Sequence, residues 1–203
     1  MQDKNSEEII KSAQDFIVQI VEFPTKDTGG LLVGRIDFWK FRNKLSMVLI
    51  TKKLTEKLNS PIKKVSPDII ISLLESAGKR EDPKVLKMFA SLLFGHINAE
   101  TSPYVHKSYS FVLEQLSVED VKIIETMYMG ISAQNIDYKT VGYSIETAMK
   151  LFSFLHPVVL LSYQNLWRLG ICDRGVNPSN PSERQIIFTD YGWQFMKACS
   201  IIE

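Results

Sequence analysis

The chain reads as a mainly α-helical protein. A multi-helix region over residues 1–130, built around a long central helix, is followed by a winged-helix-like region over 131–203 with one small β-hairpin. Three observations predict this. Apolar residues recur at helical spacing in segment after segment up to about residue 130. Several segments open on a Ser, Asp or Asn cap signal, twice with proline directly behind it, as in Ser66–Pro67 and Asp82–Pro83. Only near the C-terminus do two short runs, ICDR and RQIIFTD, flank a loop rich in Gly, Pro, Asn and Ser, which is the pattern of a hairpin with a long tip.

The first helix starts near Asn5, with Glu8 three residues on in a capping-box pattern. Ile9, Ala13, Phe16, Ile17 and Ile20 give it one buried face, and Pro24 with TKDTGG ends it. Leu31 to Leu58 holds no proline and only Gly34, so it reads as one long helix. At about 100° per residue, Phe38, Phe41, Leu45, Val48 and Leu49 cluster on one side, and Ile36, Met47, Ile50 and Leu54 nearly opposite. A narrow strip of Arg35, Arg42 and Lys53 runs between. A helix with two apolar faces is sandwiched between other elements, which predicts a central position.

Ser66–Pro67 opens a helix through Ile69, Ile70, Leu73 and Leu74 to about Ala77, with Gly78 as its stop. Asp82–Pro83 opens the next, lined by Val85, Phe89, Leu92 and Leu93, to about His96. A short helix from about Lys107 carries Phe111, Val112, Leu113 and Leu116. Ser117 with Asp120 opens another through Val121, Ile124, Met127 and Tyr128 to Gly130. Residues 131–143 are turn-like. Ser144 opens a helix to about His156, and Pro157 opens one to about Leu169, ended by Gly170. Thr189 caps the last helix, with Asp190 in its first turn.

Composition excludes some function classes. A length of 203 residues suits one ordinary domain or one with an appendage. An apolar fraction of 45% can bury a core, and a net charge of +1 selects neither nucleic acid nor an anionic membrane. The start MQDKNSEE is polar and has no signal-peptide pattern. The longest apolar stretch, Leu151 to Ser162, is broken by His156 and Pro157 and falls short of the roughly 18 residues of a membrane span. Cys172 and Cys199 lie far apart without a CxxC pair, which predicts reduced thiols and a cytoplasmic protein.

Three blocks then carry a resemblance: KKLTEKLNS (52–60), SPDIIISLLESAGKREDPKVLKMFASLLFGHIN (66–98) and YVHKSYSFVLEQLSVEDVKIIETMY (104–128). With NLWRLGICDR and FTDYGWQFMKACS further on, the chain resembles the Abi-alpha (abortive infection alpha) family over most of its length. Lys107 stands where the family usually has proline, and Phe89 where it usually has tryptophan. The resemblance implies a bacterial cytoplasmic protein associated with phage defence. It brings no catalytic residues. It places His106 at a helix cap, since the family's proline would hold the first helical position.

Chemistry-bearing clusters are sparse. His96, Glu100 and His106 are candidate metal ligands by residue type, but no i, i+4 pair on one helix joins them. There is no GxSxG, no P-loop and no paired-carboxylate motif, and Gly29, Gly30 and Gly34 follow a turn, not a strand, so no cofactor is expected. Segment 35–64 is basic and interleaved with aromatics, which nominates Arg35, Arg42, Lys53 and Lys57 for nucleic-acid or partner binding. The alternative, aromatics in the core and cations at its solvated edge, fits the apolar faces better. In the winged-helix-like region the would-be recognition helix begins Pro157-Val158-Val159-Leu160-Leu161, which cannot make bidentate base contacts. Gln164 and Arg168 on that helix, and Arg174 and Arg184 at the base of the hairpin, complete the candidates.

The expected function is therefore non-enzymatic: phage defence through binding a phage or host component, a protein or another macromolecule. A winged-helix DNA-binding regulator is the alternative, and a metal-dependent hydrolase or nuclease with an unrecognised site is the third. The sequence sets no oligomeric state.

Overall fold

In the computed structural model, which describes residues 4–22, 38–101, 105–177 and 180–200, local capping chemistry sets many of the helix starts. Asp82 accepts from the backbone N–H groups of Lys84 (2.8 Å) and Val85 (3.2 Å) and so starts α4, Pro83–Ile97. Ser117 and Asp120 form a reciprocal capping box at the start of α6, Val118–Gln134. Ser144 accepts from Thr147 N–H to open α7, Ile145–Phe152, and Thr189 accepts from Gly192 N–H to open α9, Asp190–Cys199. At α3, Pro67–Gly78, Pro67 holds the first turn, but the Ser66 hydroxyl makes no capping bond. The other helices are α1, Lys4–Ile20; α2, Phe38–Leu58; α5, Tyr109–Gln115; and α8, His156–Arg168. The protein is mainly α, with one small antiparallel sheet.

The expected turn with Pro24, Gly29, Gly30 and Gly34 lies outside the described residues, as do Leu31, Arg35 and Ile36 and the side chains of Asn5, Phe38 and Arg184. The chain divides into two compact units, residues 1–114 with 198–203, and residues 115–197.

In the first unit, α2 packs against α1, α3 and α4. Its buried residues Asn43, Lys44, Met47, Val48, Thr51, Leu54 and Thr55 form one stripe, not the two opposed faces expected. Met47 and Val48 are about 100° apart and belong to the same stripe. Thr51 extends it by donating to the carbonyls of Met47 (2.9 Å) and Ala90 (3.2 Å). The most enclosed helix is α4, where every residue from Met88 to Ile97 is buried. It carries no Asp, Glu, Lys or Arg after Lys87, and a helix that is apolar all round is a core helix. Residues 61–65 run as an extended strap: Lys63 N–H donates to Ile97 O (2.7 Å) and Val65 N–H to Ile20 O (2.8 Å), tying the ends of α4 and α1 together. Beyond α3, Arg80 donates to the carbonyls of Leu113 and Glu114, and Lys79 pairs with the Glu114 carboxylate at 2.7 Å. Arg80 and Lys79 thereby hold the last turn of α5.

In the second unit, α8 packs on α6 and α7. Two strands, β2 (Cys172–Asn177) and β3 (Asn180–Phe188), form the expected hairpin. Their ladder runs out to Asn177 and Asn180, so much of the expected long tip is paired strand. A third strand that the sequence reading took for turn, β1 (Tyr143–Ser144), adds to β3 and gives the order β1-β3-β2. The α6 helix runs past Gly130 to Gln134 and closes on Asn135 at φ 51°. Gly130 is not a stop: a Cβ there would lie 2.7 Å from the Tyr143 hydroxyl, so the glycine admits Tyr143. The α7 helix ends at Phe152, short of His156, because Ser153 turns left-handed at φ 54°. Gly170, at φ +70°, ends the α8 turn as expected.

Candidate functional site

The segment from Phe94 to Ser110 joins α4 to α5. At its start, Thr101 donates to Gly95 O (3.2 Å), and Asn98 accepts from Glu100 N–H (2.8 Å). These bonds close the end of α4 and leave the Glu100 side chain on an exposed turn. At its end, His106 Nδ1 accepts from the backbone N–H of Ser108 (3.2 Å) and meets its hydroxyl at 2.7 Å, with the ring tilted against Tyr109. His106 thus serves the backbone just ahead of α5, as a cap does, and an Nδ1 that accepts puts the neutral ring's proton on Nε2. His96 lies inside, with only 8% of its surface exposed. Among the described residues, no three His, Cys, Asp or Glu side chains gather as metal ligands, so His96, Glu100 and His106 do not converge.

His96 lines a cleft of about 180 Å³ with Asp68, Ile69, Ser72 and Leu73 of α3 and with Lys107 and Ser110. Each wall follows from local structure. Asp68 and Ser72 stand one helical turn apart on α3, so they share a face, and Ile69 and Leu73 share the adjoining one. Ser110 is turned by its own bond to Lys107 O at 3.1 Å. Burial, with a smaller contribution from the Lys63 charge, pushes the His96 imidazole down to about 4 from its ordinary 6.5. Among the described residues it has no hydrogen-bond partner. The sequence reading chose His96 but not Asp68, Ser72 or Ser110, and classed Lys107 only as a departure from a family block. The i, i+4 pair of Asp68 and Ser72 on one face of α3 was the available signal. A second trough of about 300 Å³ runs along α1 and α2 beside Glu8, Ser12, Asp15 and Lys52. There the Lys52 ammonium is engaged with Ser12 (2.6 Å) and Glu56 (3.8 Å).

The depressed imidazole makes stability pH-dependent. Between about pH 4 and 6.5 the unfolded chain binds the His96 proton and the folded chain does not, so protonation favours unfolding. The stability is fully present above pH 6.5 and falls as pH drops to about 4, by about 3 kcal/mol in total from this group. Urea unfolding across that range should show the decline, and His96→Gln should remove most of it. An unchanged pH slope in the variant would rule out His96 as the source.

The basic stretch of α2 is divided by the fold. Arg42 lies over the Trp39 ring at 4.2 Å, and both are exposed. Lys53 and Lys57 are exposed, whereas Lys44 is buried against Gly78. Val48 is fully buried and Phe41 half-buried, so of the described residues here the aliphatic is in the core, the aromatics only in part, and the cations Arg42, Lys53 and Lys57 lie outside while Lys44 does not.

On α8 the exposed face holds Pro157, Leu161, Gln164 and Arg168. Arg168 donates to Asn165 Oδ1 (2.7 Å) and Gln115 Oε1 (3.0 Å), and Arg174 lies over the Trp167 ring at 4.2 Å. Both guanidinium groups therefore have intramolecular partners. Large apolar side chains stand out beside them: Leu155 is 73% exposed, Leu161 65%, Leu151 56% and Trp167 49%. No curated protein and no solved structure matches the chain. Residues 40–199 match the family described as abortive infection alpha.

Proposed function

The chain belongs to the abortive infection alpha family, and from that premise we propose that it defends a bacterial cell against phage by binding a phage or host protein, in the cytoplasm and without chemistry of its own. The observation that carries this reading is the α7–α8 surface. Leu151 and Leu155 at the bend, and Leu161 and Trp167 along α8, leave apolar area in water that a partner would cover. Trp167 and the neighbouring Arg174 are of the types that anchor protein interfaces, and the leucines add apolar area around them.

A second reading has its own support. The order α7, α8, β2–β3 hairpin, with β1 paired to β3, is compatible with a winged-helix reading, which would suit DNA binding. Against it, the face of α8 that would enter the groove presents Pro157 and Leu161, and Arg168 is held by Asn165 and Gln115.

The deciding experiment is phage plating on cells expressing the protein or its Leu155→Asp and Leu161→Asp variants. Both positions are exposed, so thermal stability should stay within about 0.5 kcal/mol of the parent. A charge set into that apolar area should relieve the plating block by about tenfold or more. Full protection by both variants would sink the α7–α8 reading. Steeply salt-dependent DNA binding that is lost on Arg168 and Arg184 substitution would favour the winged-helix reading instead. Among the described residues, no single helix is long and apolar enough to cross a membrane. The α7–α8 pair, bent by 119°, passes that test only when its two helices are taken together, so pelleting of the parent with phospholipid vesicles would also count against a protein partner.

A further inference from the structure

We infer that the cleft between α3, the end of α4 and the start of α5 binds a small zwitterion of amino-acid type, with its ammonium at Asp68 and its carboxylate at Lys107. The inference is independent of the α7–α8 surface, because it concerns a different site with different chemistry.

The lining carries one carboxylate, one ammonium, two hydroxyls and one imidazole over an aliphatic floor of Ile69 and Leu73. Among the described residues, Asp68 and Lys107, both exposed, have no ion-pair partner, in each other or elsewhere, although they line the same open cleft. A simple anion would meet Lys107 but also the Asp68 charge. A simple cation would meet the reverse, and a metal ion would find a single carboxylate. A molecule with both charges satisfies both walls. His96 supplies the second, independent observation. It is more than nine-tenths buried, it faces this cleft, and among the described residues it has no hydrogen-bond partner. Its ring nitrogens are open to the cleft, where a ligand can meet them. A neutral imidazole offers one donor and one acceptor, which suits the carboxylate or a hydroxyl of such a ligand. The ring stays neutral above about pH 4, so it adds no charge of its own beside Lys107 and the nearby Lys63, whose charge reaches His96 from outside the lining.

Size narrows the class. A cleft of about 180 Å³ is smaller than the roughly 300–1,000 Å³ of sites for drug-sized molecules, so it suits a single amino acid or a comparable molecule. Leu73 and Ile69 offer an aliphatic side chain an apolar wall.

The test is titration of the full chain, followed by calorimetry and by amide NMR shifts of residues 68–73 and 107–110. The probes are glycine, serine, leucine and glycyl-leucine. Two more probes are leucine without its amine (4-methylpentanoate) and leucine without its carboxylate (3-methylbutylamine), and the last is inorganic phosphate. At least one zwitterion should bind saturably, about tenfold or more tighter than either singly charged analogue. Asp68→Asn should weaken that binding by about tenfold and leave 4-methylpentanoate unharmed, and Lys107→Gln should weaken it similarly and leave 3-methylbutylamine unharmed. Both residues are exposed at their outer edge, so the variants should keep the parent's melting temperature. The inference is overturned if no zwitterion binds at millimolar concentration, if phosphate binds more tightly, or if both variants keep full affinity.

Discussion

Gly192→Ala is expected to destabilise residues 115–197 by about 3 kcal/mol or more, at the upper end of what overpacking costs. A Cβ at Gly192 would fall 1.9 Å from the Ile171 carbonyl oxygen and 2.6 Å from its carbon. Both are backbone atoms, so no side chain can swing aside. That carbonyl is also the acceptor for Thr189 N–H (3.1 Å) and the Thr189 hydroxyl (3.1 Å). Moving it would therefore loosen the cap that starts α9 where β2 begins. For a chain of this size, a loss of about 3 kcal/mol corresponds to roughly 6–12 °C in melting temperature. Gly78→Ala is the internal control: its closest neighbour, at 3.0 Å, is Cε near the flexible end of the Lys44 side chain, which can move aside. Thermal unfolding of the two variants side by side checks the expectation. Equal melting temperatures would show that the Ile171–Gly192 contact relaxes at no cost.

Asp120→Ala is expected to cost about 2–4 kcal/mol, from a lost cap together with donors left without an acceptor. Asp120 is only 1% exposed. Its Oδ2 accepts from Ser117 N–H (2.8 Å) and from Asn165 Nδ2 (2.7 Å), joining the start of α6 to α8. Asn165 in turn receives Arg168, so one carboxylate orients three groups on two helices. Its other oxygen, Oδ1, is buried without a partner among the described residues, a cost already present in the parent. Asp120→Asn should therefore be much milder. The amide oxygen can keep both hydrogen bonds, and the buried charge is gone. Urea unfolding of both variants decides the matter. A loss on Asp120→Asn as large as on Asp120→Ala would mean that the charge, and not the acceptor, is what α6 requires. Because Asp120 and Ser117 form one box, their alanine variants should combine to less than the sum of the singles.

Local chemistry was legible from the residues. Asp82–Pro83, Ser117 with Asp120, Ser144 and Thr189 all start helices as read, because a cap and the N–H groups it satisfies lie within three residues of each other. The hairpin was legible for the same reason, through the turn residues between two β-prone runs. The enclosure of α4 was present in its lack of charge after Lys87, yet the reading gave the centre to α2. Residues with polar groups, such as Asn43, Thr51 and Thr55, were not read as core. Thr51 and Thr55 are buried because their hydroxyls turn back onto the helix carbonyls of Met47 and Thr51, which periodicity in apolar residues alone cannot register.

The residues by themselves determined the mainly helical class, the family blocks and most element starts, since each depends on neighbours a few positions apart. Tertiary structure alone decided that β1 joins β3, and that Asp120 meets Asn165 across 45 positions. It likewise decided that Arg168 and Arg174 have partners, and that His96 loses water beside Asp68 and Lys107. These depend on which distant segments the buried faces bring together, and desolvation of a side chain is a property of that closure, not of its neighbours in the chain.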